Sequence, residues 1–522
     1  VTVKSYEAPL ATLGLQNTAL TVLASGFLDP SQNSNGPGFG LFVALPSGGA
    51  LIPLPESTAR VQVIHNSPDA VASAVDVYLN GSLLIDDFGF RTATPFVDAP
   101  AAVGISVGIA PSNSTSSADI IASFDYTLAP GETYIIVASG IVSGTGYNPL
   151  QPFNLEVFAG ARESALTSGN TDVLVYHGST DAPTVDVVET AVTGGATIVD
   201  NASYSDFAGY LDLLTLDYRI EVRDATGTVT VKSYEAPLAT LGLQDAALTV
   251  LASGFLDPSQ NSNGAPFGLF VALPSGGDLI PLPESTARVQ VIHNSPDAAA
   301  ASVDVYLNDA LLIDNFAFRT ASPFIDAPAA VPFTVGIAPA TSTSSADAIV
   351  TYDYTLAPGE TYIIVASGLV SGAGYNPLQP FNLEVFAGAR EVASQNGNTD
   401  VLVYHGSTDA PTVDVVETLV TGGLTIVDDA SYGDFAGYLQ LGTADYRLAI
   451  TDETGTVTVK SYEAPLATLG LQNAALTVLA SGFLDPSQNS NGAPFGLFVA
   501  LPSGGDLIPL PESTARVQVI HN

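Results

Sequence analysis

The chain has 522 residues, carries 52 acidic against 13 basic side chains for a net charge of −39, is 46% apolar, and contains no Cys, Met or Trp. These figures exclude disulfides, thiolate metal sites and cysteine nucleophiles, the basic footprint of a nucleic-acid binder or of a protein held on an anionic membrane, and intrinsic disorder, which needs low hydrophobicity beside high charge. At roughly 100 to 200 residues per domain the length predicts about three to five modules, and no apolar run approaches the ~20 residues of a membrane helix, since Thr133 to Gly144 is already broken by Ser and Gly.

The segment VTVKSYEAPLATLGLQ begins at Val1, Val229 and Val457, a period of 228 residues. The terminal segments 1–66 and 457–522 differ only at Thr18/Ala474, Pro37/Ala493, Gly38/Pro494 and Ala50/Asp506. An older repeat lies inside each period. All five histidines sit in one motif, HNSPDA at His65 and His293, HGSTDA at His177 and His405, and a final HN at His521. The folding unit is therefore a domain of about 110 residues in two alternating types, A and B, in line with ordinary domain sizes. Residues 1–58 read as the C-terminal part of a B-type domain, 59–168 as A, 169–286 as B, 287–396 as A, 397–514 as B, and 515–522 as the first strand of a further A. On this reading the 522 residues are an excerpt from a longer array.

Along the chain the pattern alternates with period 2. ARVQVIH (Ala59 to His65), AVDVYLN (Ala74 to Asn80), GISVGIA (Gly104 to Ala110), DVLVYHG (Asp172 to Gly178), DYRIEVR (Asp217 to Arg223) and TVTVKSYE (Thr228 to Glu235) each place one face on a core and one toward solvent. Turn residues punctuate them, as in NGS (Asn80 to Ser82), APGETY (Ala129 to Tyr134) and DATGT (Asp224 to Thr228). The pattern predicts an all-β protein, a tandem array of antiparallel, Ig-like β-sandwiches. PLATLGLQ (Pro9 to Gln16) supports at most a turn or two of helix. The linkers at Arg162–Asn170 and Leu54–Thr58 are short, the second stiffened by Pro55, which predicts neighbours held in contact, end to end, as a semi-rigid rod.

At HxSxDA followed by VDVY the sequence resembles the secreted prokaryotic repeat known as domain of unknown function 4397. The A-type copy carries VQVIHNSPDA, VDVYLNG, FRTATPF (Phe90 to Phe96) and APGETYIIVASG (Ala129 to Gly140); the B-type copy has LVYHGSTDAPTVDV and replaces APGETY with a longer APLATLGLQ segment. The resemblance implies a β-sandwich module of exported, often tandemly arrayed surface proteins, and it implies no enzymatic activity.

One constellation recurs in each complete domain: His65, Ser67, Asp69, Asp76 and Asp86; His177, Ser179, Asp181, Asp186 and Asp200; and their copies in the second period. A hydrolytic triad needs base and nucleophile converging beside an oxyanion hole, whereas His, Ser and Asp here sit two residues apart along a strand end, where Ser and Asp close turns by bonding backbone N–H groups. The expectation is no enzyme. The competing reading is a divalent cation such as calcium, held by His65, Asp69, Asp76 and Asp86 in A and by His177, Asp181, Asp186 and Asp200 in B; no DxDxDG loop or paired-histidine spacing supports it, so a structural His–Asp network is favoured and no cofactor is expected. Asn80, Asn113 and Asn201 open N-x-S/T sequons, none of which recurs 228 residues later.

Two functions fit. The first is a structural extracellular or cell-surface filament, fibril or stalk, whose partners are neighbouring copies of itself and whose sparse charge suits surfaces that become covered. The second is a repetitive adhesin that binds surface glycans by avidity, with Tyr147 and Tyr375 the nearest aromatic candidates.

Overall fold

The computed structural model describes residues 2–515 and 518–520 and divides into two compact units, Val1–Pro283 and Glu284–Asn522. Among the described residues the regular structure is strand with a few single-turn 3-10 segments. Half of the expected first strand of a further A-type domain at 515–522 falls outside the described residues, and the described half, 515 and 518–520, is in no strand.

In the first unit, β1 (Thr21–Ser25), β2 (Gly40–Ala44) and β3 (Ile52–Pro53) form the three-stranded remnant of a B-type domain. The following A-type strands are β4 (Thr58–His65), β5 (Ala74–Leu79), β6 (Ser82–Gly89), β7 (Thr92–Ala93), β8 (Val97–Pro100), β9 (Gly104–Pro111), β10 (Ala122–Thr127), β11 (Thr133–Ser139) and β12 (Asn154–Ala159). The B-type strands are β13 (Asn170–His177), β14 (Val185–Glu189), β15 (Ala196–Ala202), β16 (Phe207–Leu214), β17 (Asp217–Asp224), β18 (Thr230–Pro237), β19 (Ala247–Ser253), β20 (Gly268–Ala272), β21 (Gly277–Asp278) and β22 (Ile280–Pro281).

Each domain is a two-sheet sandwich. In A the outer sheet has the order β10-β9-β5-β6 and the inner sheet β12-β11-β4-β7, with β8 also pairing β4; in B the outer sheet is β15-β14-β17-β18 and the inner β16-β13-β19-β20-β22. Pairing is antiparallel except at the histidine strand, which runs parallel to β11 in A (Val61 beside Tyr134, Ile64 beside Val137) and to β19 in B (Val173 beside Leu248). The A hairpin β5–β6 closes on Asn80 and Gly81, at φ 51° and 81°, the left-handed pair that a two-residue type I′ turn requires. PLATLGLQ forms no helix: in the complete B copy the segment makes a single turn, with Leu241 N–H donating to the Pro237 carbonyl at 2.9 Å.

Alternation accounts for three apolar layers rather than two. Val61, Val75, Val77, Phe88, Tyr134 and Ile136 fill the A sandwich, and Val185, Val199, Tyr218, Val222, Tyr234 and Leu248 fill the B sandwich. Between them lies a third cluster in which Ile64, Ile135 and Val137 of A meet Leu174, Tyr176 and Leu251 of B, all buried. Within the unit the two sandwiches thus stack inner sheet against inner sheet, not end to end. The short strand β21 of B pairs antiparallel with β7 of A, extending A's inner sheet. The second unit repeats this plan: Ile292, Ile363 and Val365 meet Leu402, Tyr404 and Leu479, and Gly505–Asp506 pairs with Thr320–Ala321.

Candidate functional site: the histidine motif and the A/B junction

The motif sits where the histidine strand leaves the inner sheet, and each of its side chains ties down a neighbouring loop. His65, fully buried, bonds the Ala72 carbonyl through Nε2 at 2.7 Å, while Nδ1 accepts from Ser67 N–H at 3.3 Å. The ring is therefore a neutral imidazole with both nitrogens engaged, and burial lowers its pKa to about 4. Ser67 Oγ donates to the Gly140 carbonyl at 2.6 Å. Asp69 accepts from Val71 N–H, Val142 N–H, Ser143 N–H, Ser143 Oγ and Tyr147 OH at 2.6 to 3.2 Å. Burial alone would raise its pKa, but these donors hold it below the usual carboxylate range. The loop they hold turns at Gly140, φ 90°, where a Cβ would lie 2.3 Å from the Pro152 carbonyl oxygen.

The B copy repeats the staple with altered partners. His177 Nε2 meets the Pro183 carbonyl at 3.2 Å, Ser179 Oγ donates to Gly254 O at 2.7 Å, and Asp181 accepts from Leu256 N–H, Asp257 N–H and Asn261 Nδ2 at 2.8 to 3.0 Å. Burial depresses the His177 pKa as well.

The remaining candidates lie elsewhere. Asp76 is buried on β5 and accepts from Asp87 N–H at 3.0 Å and Ser114 Oγ at 2.5 Å; Asp186 accepts from Asn201 N–H at 2.8 Å. Asp86 and Asp200 are exposed on the hairpin partner strands, and repulsion from Asp76 raises the pKa of Asp86. His65 and Asp69 thus belong to one loop cluster, and Asp76 and Asp86 to another. Among the described residues no group of three or more His, Asp or Glu side chains converges as a metal site would require. Of the sequon asparagines, Asn80 occupies a left-handed turn position, Asn201 a left-handed position within β15, and Asn113 an exposed loop; Asn80 Oδ1 accepts from Ser106 N–H at 2.9 Å.

A second set of residues, not singled out by the motif, joins A to B. Asn66 Nδ2 reaches the carbonyls of Gly178 and Ala252 at 3.2 and 3.3 Å, and Gln62 Nε2 bridges the carbonyls of Thr94 and Leu273, both at 2.8 Å. Arg91 donates to Ser253 Oγ at 3.0 Å, to Ser253 O at 3.2 Å and to Pro266 O at 2.8 Å, with its guanidinium 3.9 Å from the Phe270 ring centroid. Desolvation lowers its pKa to about 10, so it stays charged at neutral pH. Reciprocally, Ser139 of A contacts Tyr204 OH of B at 3.3 Å. Tyr147, the aromatic candidate for glycan contact, stacks on Phe255 of B with centroids 5.6 Å apart while bonding Asp69. The second unit repeats these contacts through Asn294, Gln290, Arg319 and Tyr375. The clue in the sequence is the strand TYIIVAS, apolar on both faces, and a strand buried on both faces reads as a continuous apolar run.

The architecture defines a tandem β-sandwich repeat protein. The family model "Domain of unknown function (DUF4397)" matches residues 59–188, 171–300, 287–416 and 399–522, and the chain belongs to that family. No curated protein matches it. Among solved structures it is similar to one described as "Alpha-glucan binding by a streptococcal virulence factor" (10% identity, 37% of this chain and 92% of the other, TM-score 0.14) and to the Bacillus anthracis TIE protein (8% identity, 90% and 74%, TM-score 0.14). A likeness at this level transfers neither ligand nor site. Among the described residues no helix is long and apolar enough to cross a membrane.

Proposed function

We propose that the protein is a non-catalytic structural repeat of an extracellular or cell-surface filament or stalk, with the interlocked A–B pair as its building block. The observation that carries this reading is the apolar layer between the inner sheets, reinforced by Arg91 and Gln62 and repeated in both units. Such a layer makes two sandwiches one stiff object, and stiffness is what a repeated module contributes to a fibre. The motif's polar groups serve the same end, since its buried His, Ser and first Asp are engaged with the backbone of their own domain. The edge strand β6 of the outer A sheet also leaves Leu83 and Leu84 exposed, as the second copy leaves Leu311 and Leu312, recurring exposed apolar side chains of the kind that lateral association covers.

Negative-stain electron microscopy of the full chain over a range of concentrations tests the proposal. Elongated assemblies with a regular axial spacing are expected; dispersed particles at every concentration would overturn it.

A further inference from the structure

The A and B sandwiches differ at one core position with a large volume consequence. In A, Phe88 stands opposite Val75 across the outer-sheet hairpin, buried, with its ring 5.6 Å from the His65 ring. Phe316 does the same opposite Val303, 5.7 Å from His293. In B the residues opposite the corresponding Val185 and Val413 are Ala202 and Ala430. The backbone fixes the equivalence. The residue just before each is left-handed, Asp87 at φ 52° and Asn201 at φ 51°, and donates its N–H to the hairpin aspartate, Asp76 or Asp186.

Phenylalanine and alanine differ by a phenyl ring, and the B core does not close over the difference. A cavity of about 110 Å³ remains in the first B sandwich, its wall including Ala202, His177, Val185, Val187, Tyr218 and Leu269. The second B sandwich has one of about 160 Å³ beside Ala430 and His405. The second A sandwich, which keeps Phe316, has only about 60 Å³. The void recurs in both B copies although their linings have diverged, with Ile220 and Val222 in the first replaced by Leu448 and Ile450 in the second.

We propose that the core of each B-type sandwich is a binding site for a small, uncharged apolar molecule of aromatic-ring size, taken up where the A-type sandwich holds its own phenylalanine. The chemistry is that of an apolar cavity: at about 150 Å³ and lined by aliphatic and aromatic side chains, such a void stays dry and accepts benzene or xenon. The ligand regains the dispersion contacts that the missing ring leaves unmade, and a charged molecule is refused because the wall is almost wholly apolar: His177, Glu189 and Thr193 also line it, but the Glu189 carboxylate is already engaged by the N–H groups of Ala191, Val192 and Thr193. Among the described residues each of the two complete B-type sandwiches holds such a site.

Benzene is the probe. Added to the full chain, it is expected to raise the thermal midpoint in a concentration-dependent way, and dissolved xenon is expected to show a protein-bound shift in its magnetic resonance that benzene displaces. The double variant Ala202→Phe, Ala430→Phe fills both cavities; it is expected to melt higher without ligand and to lose the response to benzene and xenon. If that variant does not fold, Ala202→Leu, Ala430→Leu fills the same space with a smaller group and must weaken both responses. Wild-type protein that responds to neither probe, or a folded filled variant whose response is undiminished, overturns the proposal.

Discussion

Asn66 and Gly178 hold the same place in the repeated motif, one residue after the histidine, and in the folded pair they meet: Asn66 Nδ2 donates to the Gly178 carbonyl at 3.2 Å. A Cβ on Gly178 would lie 2.1 Å from that nitrogen and 2.8 Å from the Ala252 carbonyl oxygen. The HN of A and the HG of B are therefore complementary halves of one contact. That two copies of one position face each other, while Ser253 of B meets Arg91 and its counterpart Ser139 of A meets Tyr204, gives the pair a local two-fold relationship, as in an isologous interface.

Gly178→Ala is accordingly expected to destabilise the pair by ~1–3 kcal/mol, the usual cost of overpacking. Asn66→Gly in the same chain should restore part of the loss, since the Ala252 carbonyl still crowds the new methyl. Thermal denaturation of the two single variants and the double variant gives the coupling; strictly additive losses would show that the two residues do not meet.

Alternation along ARVQVIH and its relatives was enough to read the sandwiches, because each face of a strand goes to a different solvent. It could not name partners. That the histidine strand runs parallel to β11 depends on residues some 70 positions apart, and periodicity carries no register between distant strands. The face-to-face stacking was written in Ile135 and Val137, the off-phase apolar residues of TYIIVAS, which on an ordinary half-buried strand would be polar. Asp76 could not be separated from a metal ligand by sequence, because its partners, Asp87 N–H and the Ser114 hydroxyl, come from a hairpin bulge and a distant loop.

The buried histidines set an acid limit. With folded pKa values of about 4 for His65 and His293 against ~6.5 unfolded, the unfolded chain binds more protons between those values, so stability falls as pH drops from 6.5 toward 4. The loss should approach roughly 3 kcal/mol for each histidine. Protonation at Nδ1 would also set an N–H against the Ser67 N–H that it accepts from. Denaturant titrations at pH 7 and pH 4.5 should show the loss, and His65→Gln with His293→Gln should flatten the dependence over that interval; an unchanged slope would sink the assignment.

Asp69 gathers donors only. Asp69→Asn turns one acceptor oxygen into an amide donor facing N–H and O–H groups, an expected loss of about 2–3 kcal/mol, on the scale of hydrogen bonds to a charged group. Because backbone donors already occupy the carboxylate, EDTA is expected to leave the melting midpoint of the wild-type chain unchanged, and a drop on chelation that calcium reverses would instead make these aspartates cation ligands.

The third apolar layer gives the sharpest test of the building block. An A-type domain cut out as residues 57–168 would expose Ile64, Ile135 and Val137 on a broad sheet face and lose the partners of Arg91 and Gln62. Replacing a single such buried aliphatic by alanine costs about 2–5 kcal/mol, and the cut strips the cover from the whole layer. The fragment should therefore fail to fold as a monomer, or self-associate through that face. Residues 57–283, which retain both inner sheets, should unfold in one cooperative transition, and Arg91→Lys should lower its midpoint without splitting it, because the ammonium keeps the charge but cannot span Ser253 and Pro266 while stacked on Phe270. A stable, monomeric A domain, or two separate transitions in the pair, would mean that the sandwiches are independent beads and that the layer between them adds nothing to stability.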